Sequence, residues 1–350
     1  MLSFVFPGNI EKTISEIGSR PFMYMRTSEF SEIVKESEQI LLQLFHCTGG
    51  RTIIYTGSGT GAMTAVVENY CTTKSKVLVV NGGAFGMRWY ELCKYYDIPV
   101  INYCVPFAKN INYTDLESCI SQNKPDIVLC QHHETSSGQL FDLKQISEIC
   151  HKNNVSLVVD AISSFLAEEL NMDELGIDIC ITSSQKGLNI PPGLSILVFS
   201  KSLTQYKFNH KGYYWDFDNN LSNLARGQTP FSPATILYLQ LNNRLRQIQA
   251  NGNEYNNIEI VRHRANFFRS LCIKYNWDIL AETPSSAITG FQTKDNENRR
   301  IFNALIQEYE TYIMPGSIPG FYRVSHMGEQ SDNDLLLLAK RIHEKESQWK

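Results

Sequence analysis

The hydrophobic positions of this chain form short, nearly unbroken runs: Thr52–Thr56, Val77–Asn81, Val100–Tyr103, Ile127–Gln131, Leu157–Asp160, Ile177–Ser183 and Ser195–Phe199. Between them lie stretches with a period of three to four, at Ala62–Tyr70, Gly86–Tyr95, Asp115–Gln122 and Leu143–Lys152. Apolar runs of strand length, alternating with helical segments, predict a three-layer α/β/α unit with a mainly parallel sheet covered on both faces.

After Ser200 the pattern changes. The tract KSLTQYKFNHKGYYWDFDNN is aromatic and polar, without clear periodicity. A helix is predicted from about Ser232 to Ala250, stopped by Asn-Gly-Asn, and another from about Asn256 to Lys274. Strands near Ile288–Gln292 and Tyr322–Ser325, with helices near Arg299–Tyr309 and Asp332–Glu346, predict a smaller C-terminal α+β unit. The division is an N-terminal segment (1–20), a large α/β domain (21–235) and a small domain (236–350). There is no internal repeat.

Composition narrows the class. At roughly 100–200 residues per domain, 350 residues suit two unequal domains. The net charge of −4 leaves no electrostatic footprint for nucleic acid. No apolar run approaches a membrane span, and the N-terminus lacks the basic start of a secretory signal, so no membrane role is expected. Nine cysteines stand singly with no Cys-x-x-Cys, which fits reduced thiols in a cytoplasmic protein. His132 and His133 are adjacent, so on a strand they point to opposite faces, and no metal site is expected.

Chemistry enters at strand ends. In IIYTGSGTGAMTAVV (53–67) a strand gives way through small residues to a helix, whose first N–H groups, with Ser58 and Thr60, suit a phosphate. It matches neither a Walker loop nor a dinucleotide fingerprint. Phe85, in VVNGGAFGMRWY (79–90), and Glu134, Thr135 and Ser136, in LCQHHETSSGQL (129–140), also follow strand ends. Asp160 and Lys186 each close an apolar run, and a buried charge needs an answering group. Two readings are open here: an ion pair between them, or a cofactor that answers both. Pyridoxal phosphate needs an amine, a carboxylate for its ring nitrogen and a phosphate cradle.

Taken as a set, the motifs resemble the class V, fold-type I aminotransferases. The similarity is strongest to the alanine–glyoxylate / serine–pyruvate group and extends to 2-aminoethylphosphonate–pyruvate aminotransferases. The segments are SSQKGLNIPPG (183–193), VVDAISSF (158–165), HHETSSG (132–138), GSGTGAMTAV (57–66), NGGAFGMRW (81–89) and YRVSHMG (322–328). The resemblance implies pyridoxal 5'-phosphate as cofactor. It also implies transfer of an amino group from a small, alanine- or serine-like donor to a 2-oxo acid such as pyruvate or glyoxylate, in two half-reactions.

The resemblance also assigns roles. Lys186 holds the cofactor as a Schiff base and moves the proton; Asp160 pairs with the ring nitrogen. Phe85 and Ile162 cover the two ring faces, and Thr135 bonds at the ring's edge. Ser58, Gly59, Thr60 and Gln185 hold the phosphate. Thr229 reaches the phosphate of a second subunit, which makes a homodimer with a shared active site the expected assembly. Arg323 clamps the substrate carboxylate. Relatives often have Tyr where Arg226 stands, three residues before Thr229. The weighed alternatives are 2-aminoethylphosphonate–pyruvate transamination, a cysteine desulfurase and a non-catalytic cofactor-binding homologue. Desulfurases carry His directly before the lysine, where this chain has Gln185, and Cys272 lies in a helical pattern.

Overall fold

The computed structural model describes residues 1–208, 212–295, 297 and 299–348. Residues 209–211 of the aromatic tract, and the last two of the C-terminal unit, lie outside the described residues.

Seven strands form the large sheet: β1 (Arg51–Thr56), β2 (Val77–Asn81), β3 (Val100–Cys104), β4 (Ile127–Gln131), β5 (Ser156–Asp160), β6 (Ile179–Ser183) and β7 (Leu194–Phe199). Their order is β1-β7-β6-β5-β4-β2-β3. Only β7 runs antiparallel to its neighbours; the rest share one direction. The sheet is therefore mainly parallel, as the apolar runs implied.

The alternation of side chains explains the layers. Leu78, Val80, Val128, Cys130, Leu157, Val159, Ile196 and Val198 point into one core. Their neighbours Val77, Val79, Ile127, Leu129, Val158, Leu197 and Phe199 point into the other. Strands that are apolar on both faces need helices on both faces. The helix Ser28–Leu44 and the helix Thr235–Ala250 close the first core with Phe30, Val34, Leu41, Tyr238, Leu241 and Leu245. The helices Gly59–Asn69 and Ala84–Tyr95 close the second with Ala62, Val66, Trp89 and Cys93.

The helix Ser28–Leu44 was not foreseen from the sequence, nor were Lys12–Ile17 and Phe217–Leu224. The last of these lies in the aromatic tract, where Asp216 caps it by accepting from the Asn219 amide at 3.0 Å. The helix expected from Ser232 begins at Thr235, past Pro233, which has no amide hydrogen to enter a ladder. It ends at Asn-Gly-Asn as expected: Gly252 takes φ +90°, and the next helix starts at once, at Asn253.

The C-terminal sheet is antiparallel in the order Asp278–Ile279, Ile288–Gln292, Phe321–Ser325, Met314–Pro315. Its core holds Phe268, Phe291, Leu305, Tyr322, Val324 and Leu338. The N-terminal strand Leu2–Ser3 pairs with Thr311–Tyr312 beside this unit.

Candidate active site

A parallel sheet delivers its strand ends to one edge. Here β5 ends on Asp160, β4 runs into His133 and Glu134, β6 into Gln185 and Lys186, and β1 into Gly57 and Ser58. Asp160 pairs with Gln131 on one side and Ile181 on the other, so it stands at the middle of that edge. The Ile162 amide donates to its carboxylate at 2.9 Å. The Lys186 loop turns tightly beneath: the Asn189 amide donates to the Lys186 carbonyl at 2.9 Å. At Gly187 a Cβ would lie 2.1 Å from the Phe165 carbonyl oxygen, so only glycine follows the lysine here.

Asp160 and Lys186 are both buried, at 5% and 9% exposure. Burial lifts the Asp160 carboxyl to about 7, and the Glu134 charge adds to the rise. Burial drops the Lys186 ammonium to about 7, aided by Arg323 and Arg88 and opposed by Asp160. The two groups attract each other through space, yet no direct ion pair joins them. The simple ion pair that the sequence left open does not form.

The start of the helix Gly59–Asn69 faces the same edge. Ser58 is its N-cap, but its side chain does not cap, and it is exposed. The Thr60 hydroxyl accepts from Arg88 Nη1 at 3.0 Å. Free amides, a free hydroxyl and a guanidinium make an anion site. Gln185 Oε1 is buried without a partner close by in sequence to Lys186. Ile162 presses on Gly59, where a Cβ would come within 2.6 Å of Ile162 Cδ1.

Phe85 is half-buried in the first turn of the helix Ala84–Tyr95. Its amide donates to the Glu134 carboxylate at 3.2 Å, as does that of Gly86. An acid at a helix start is favoured by the macrodipole, so Glu134 fixes where Phe85 stands. The Thr135 hydroxyl lies 2.7 Å from Ser163 Oγ, which is also 2.8 Å from His133 Nδ1. Burial and the nearby Lys186 charge lower His133 to about 3, so it stays neutral. Arg323 enters from the C-terminal sheet; Nη1 donates to the Thr135 carbonyl at 2.8 Å and Nη2 to the Pro315 carbonyl at 2.9 Å. Its Nε is buried without a partner.

Of the residues singled out from the sequence, Thr229 lies apart, with Arg226 beside it. Its hydroxyl donates to the Phe231 carbonyl at 2.7 Å. It lines an open cavity of about 480 Å³ with Arg26, Arg226 and Gln228. A cavity of about 660 Å³, lined by His46, Tyr113, His132 and Glu254 among others, contains none of the expected site residues.

Four residues at the site had no role assigned from sequence. Arg88 and Ser163 lie inside quoted motifs, and Glu134 was read only as loop polarity. Phe6 opens the segment Phe-Pro-Gly-Asn (6–9), where the family resemblance implies a Thr-Pro-Gly-Pro near the substrate pocket, but it carried no role of its own; its ring centre lies 3.6 Å from Lys186 Nζ.

These residues fit pyridoxal phosphate. They offer a neutralisable buried amine, a buried carboxylate not paired with it, an uncapped helix start beside a guanidinium, and the unpartnered Gln185 Oε1 and Arg323 Nε.

Comparison with known proteins agrees. The family model for aminotransferase class-V matches residues 15–212. A Synechococcus protein named soluble hydrogenase, small subunit, is 30% identical over 93% of this chain and 87% of its own. The L-aspartate–glyoxylate aminotransferase of Paracoccus denitrificans is 25% identical over 93% of this chain and 86% of its own. The crystal structure of an alanine–glyoxylate aminotransferase from Nostoc superposes with a TM-score of 0.91 at 21% identity, over 97% of this chain and 93% of that one. A buried lysine and carboxylate at the carboxyl edge of this sheet, together with the family match over more than half the chain, establish that the protein belongs to the class V aminotransferases, which depend on pyridoxal phosphate.

Proposed function

We propose that the enzyme moves an amino group from a small donor, alanine or serine, to glyoxylate or pyruvate. The observation that carries this is the unpaired, buried Lys186–Asp160 couple with Arg323 beside it. Bound pyridoxal phosphate supplies an electron sink for the pair released when an α-proton leaves. Lys186 Nζ would hold the cofactor and would carry the α-proton of the donor. Burial lets Nζ shed its own proton near neutral pH, as a base must. Asp160 would sit against the ring nitrogen, where its carboxylate would favour a protonated ring. Phe85 and Ile162 would cover the ring's faces and exclude water, and Thr135 would bond at its edge. Ser58, Gly59, Thr60 and Gln185 take the phosphate, with Arg88 as counter-charge. Arg323 orients the substrate carboxylate.

The position of Thr229 supports a homodimer. It acts from one protomer toward the phosphate of its partner, with Arg226 adding positive charge there. The proposed division keeps the seven-stranded sheet in the large unit (21–235) and the four-stranded sheet in the small one (236–350), although the helix Thr235–Ala250, on the small unit's side of that boundary, closes the core of the large sheet. No described helix is long and apolar enough to cross a membrane; the free cysteines support a reducing, cytoplasmic setting.

The hydrogenase name belongs to another protein. Burial pushes the Cys150 and Cys272 thiols up to about 12, which favours their protonated form and argues against a desulfurase thiolate there. The test is the visible spectrum with pyridoxal phosphate. A band that borohydride abolishes while fixing the cofactor's mass on Lys186 is expected. Alanine or serine should bleach it, and pyruvate or glyoxylate restore it. Bleaching by 2-aminoethylphosphonate alone would overturn the donor assignment.

A further inference from the structure

We propose that Phe6 is the wall that limits the size of the substrate side chain. This deepens the aminotransferase reading and rests on it. The donor's reacting carbon must come to Lys186 Nζ, and its carboxylate to Arg323. The remaining substituent on that carbon then meets whatever else touches Nζ. That group is the ring of Phe6, 3.6 Å from Nζ to its centre.

The backbone is held on both sides of the ring. Before it, the Phe4 amide donates to the Tyr312 carbonyl and the Phe4 carbonyl accepts from the Ser325 amide, both at 2.9 Å. Ser325 is two residues from Arg323 on one strand, so carboxylate clamp and wall share a frame. After it, Gly8 packs so closely on the Met327 carbonyl that a Cβ would lie 2.5 Å away. Asn9 then locks the segment. Its side chain donates to the Glu329 carbonyl at 3.0 Å, and its own carbonyl accepts from Asn189, three residues past Lys186, at 3.0 Å. Phe6 itself is half-buried against the cluster of Ile288 and Met327. A ring so anchored cannot swing aside for a longer substituent, and it offers no cation to a second carboxylate. Glycine, alanine and serine fit; longer aliphatic and dicarboxylic donors are rejected.

The experiment compares alanine, 2-aminobutyrate and norvaline as donors for the native enzyme, Phe6→Ala and Phe6→Leu. One methylene in a tight pocket discriminates by about 10–200-fold. In the native enzyme kcat/KM should fall at least tenfold from alanine to 2-aminobutyrate. Phe6→Ala should cut that ratio to below about threefold, with Phe6→Leu between; Leu keeps the apolar contact and serves if Ala fails to fold. A second readout needs no cofactor. Acetaldehyde and butanal condense with Lys186 Nζ, losing water, and cyanoborohydride adds hydride to the resulting C=N bond. Peptide mass measures the butanal-to-acetaldehyde labelling ratio at Lys186, normalised to exposed lysines. Phe6→Ala should raise that ratio about tenfold. A changed amine basicity would move both aldehydes equally and leave the ratio alone. An equally steep donor series with an unchanged ratio overturns the proposal. If the native enzyme uses no donor, the aminotransferase reading fails, and the labelling ratio alone decides the role of Phe6.

Discussion

Replacing Lys186 with methionine should abolish transamination and make the cofactor-free protein more stable. The free lysine is buried at 9% exposure, without an ion pair. Its fall from 10.5 to about 7 corresponds to about 5 kcal/mol of cost for keeping it charged in the fold, at about 1.36 kcal/mol per pH unit. The contact with the Phe6 ring favours the cation and offsets about 1 kcal/mol of that. Methionine fills nearly the same volume without a charge, so about 4 kcal/mol should be gained at pH 6. At about 2.1 cal/mol/K per residue, 350 residues convert this into a Tm rise of about 5 °C. The gain depends on pH in a stated direction. The folded chain binds fewer protons than the unfolded chain between pH 7 and 10.5, so native stability climbs through that window and the advantage of methionine fades. Calorimetry on cofactor-free protein at pH 6, 8 and 10.5 measures it; bound cofactor would stabilise only the native chain. A variant no more stable at pH 6, or one whose gain persists undiminished at pH 10.5, would refute the reasoning.

Three further outcomes are expected. Asp160→Asn keeps the acceptor for the Ile162 amide but loses the charge; at about 3 kcal/mol, kcat should drop about 100-fold with the cofactor still bound, as followed by absorbance. Gly59→Ala drives a methyl into Ile162 and should weaken pyridoxal phosphate binding about tenfold in equilibrium dialysis; adding Ile162→Val should restore most of it. Arg323→Lys loses the planar fork, so KM for alanine and for pyruvate should rise together, about 30-fold each, because both present a carboxylate; a rise in only one would contradict a shared clamp.

Much of the layered fold was legible because burial on both faces leaves an unmistakable mark. Val77–Asn81 and Ile127–Gln131 are apolar at every position but the last, and both were bounded to the residue. The helix Ser28–Leu44 was legible but not read: Phe30, Ile33, Val34, Ile40, Leu41 and Leu44 form a stripe at helical spacing after the Thr27 cap, and that stripe is the side that packs on the core with Tyr238 and Leu241. Phe217–Leu224 depends on a cap and on burial of Phe217, not on a long repeat.

The same division runs through the site. Sequence by itself determined which chemistries are present, because an amine, a carboxylate and a small-residue helix start must follow strands whose apolar pattern already orients them. Parallel strands carry such ends to one edge wherever the register falls. Tertiary structure alone decided that Lys186 and Asp160 stay unpaired, because Asp160 lies within the pairing of β5 and β6 while Lys186 stands on the loop beyond β6. It alone decided that Glu134 seats Phe85, and that Phe6 stands over Lys186 although 179 intervening residues separate them. A contact of that span has no local pattern to betray it; it exists only because the N-terminal strand pairs with Thr311–Tyr312 and brings its aromatic ring across the sheet's edge.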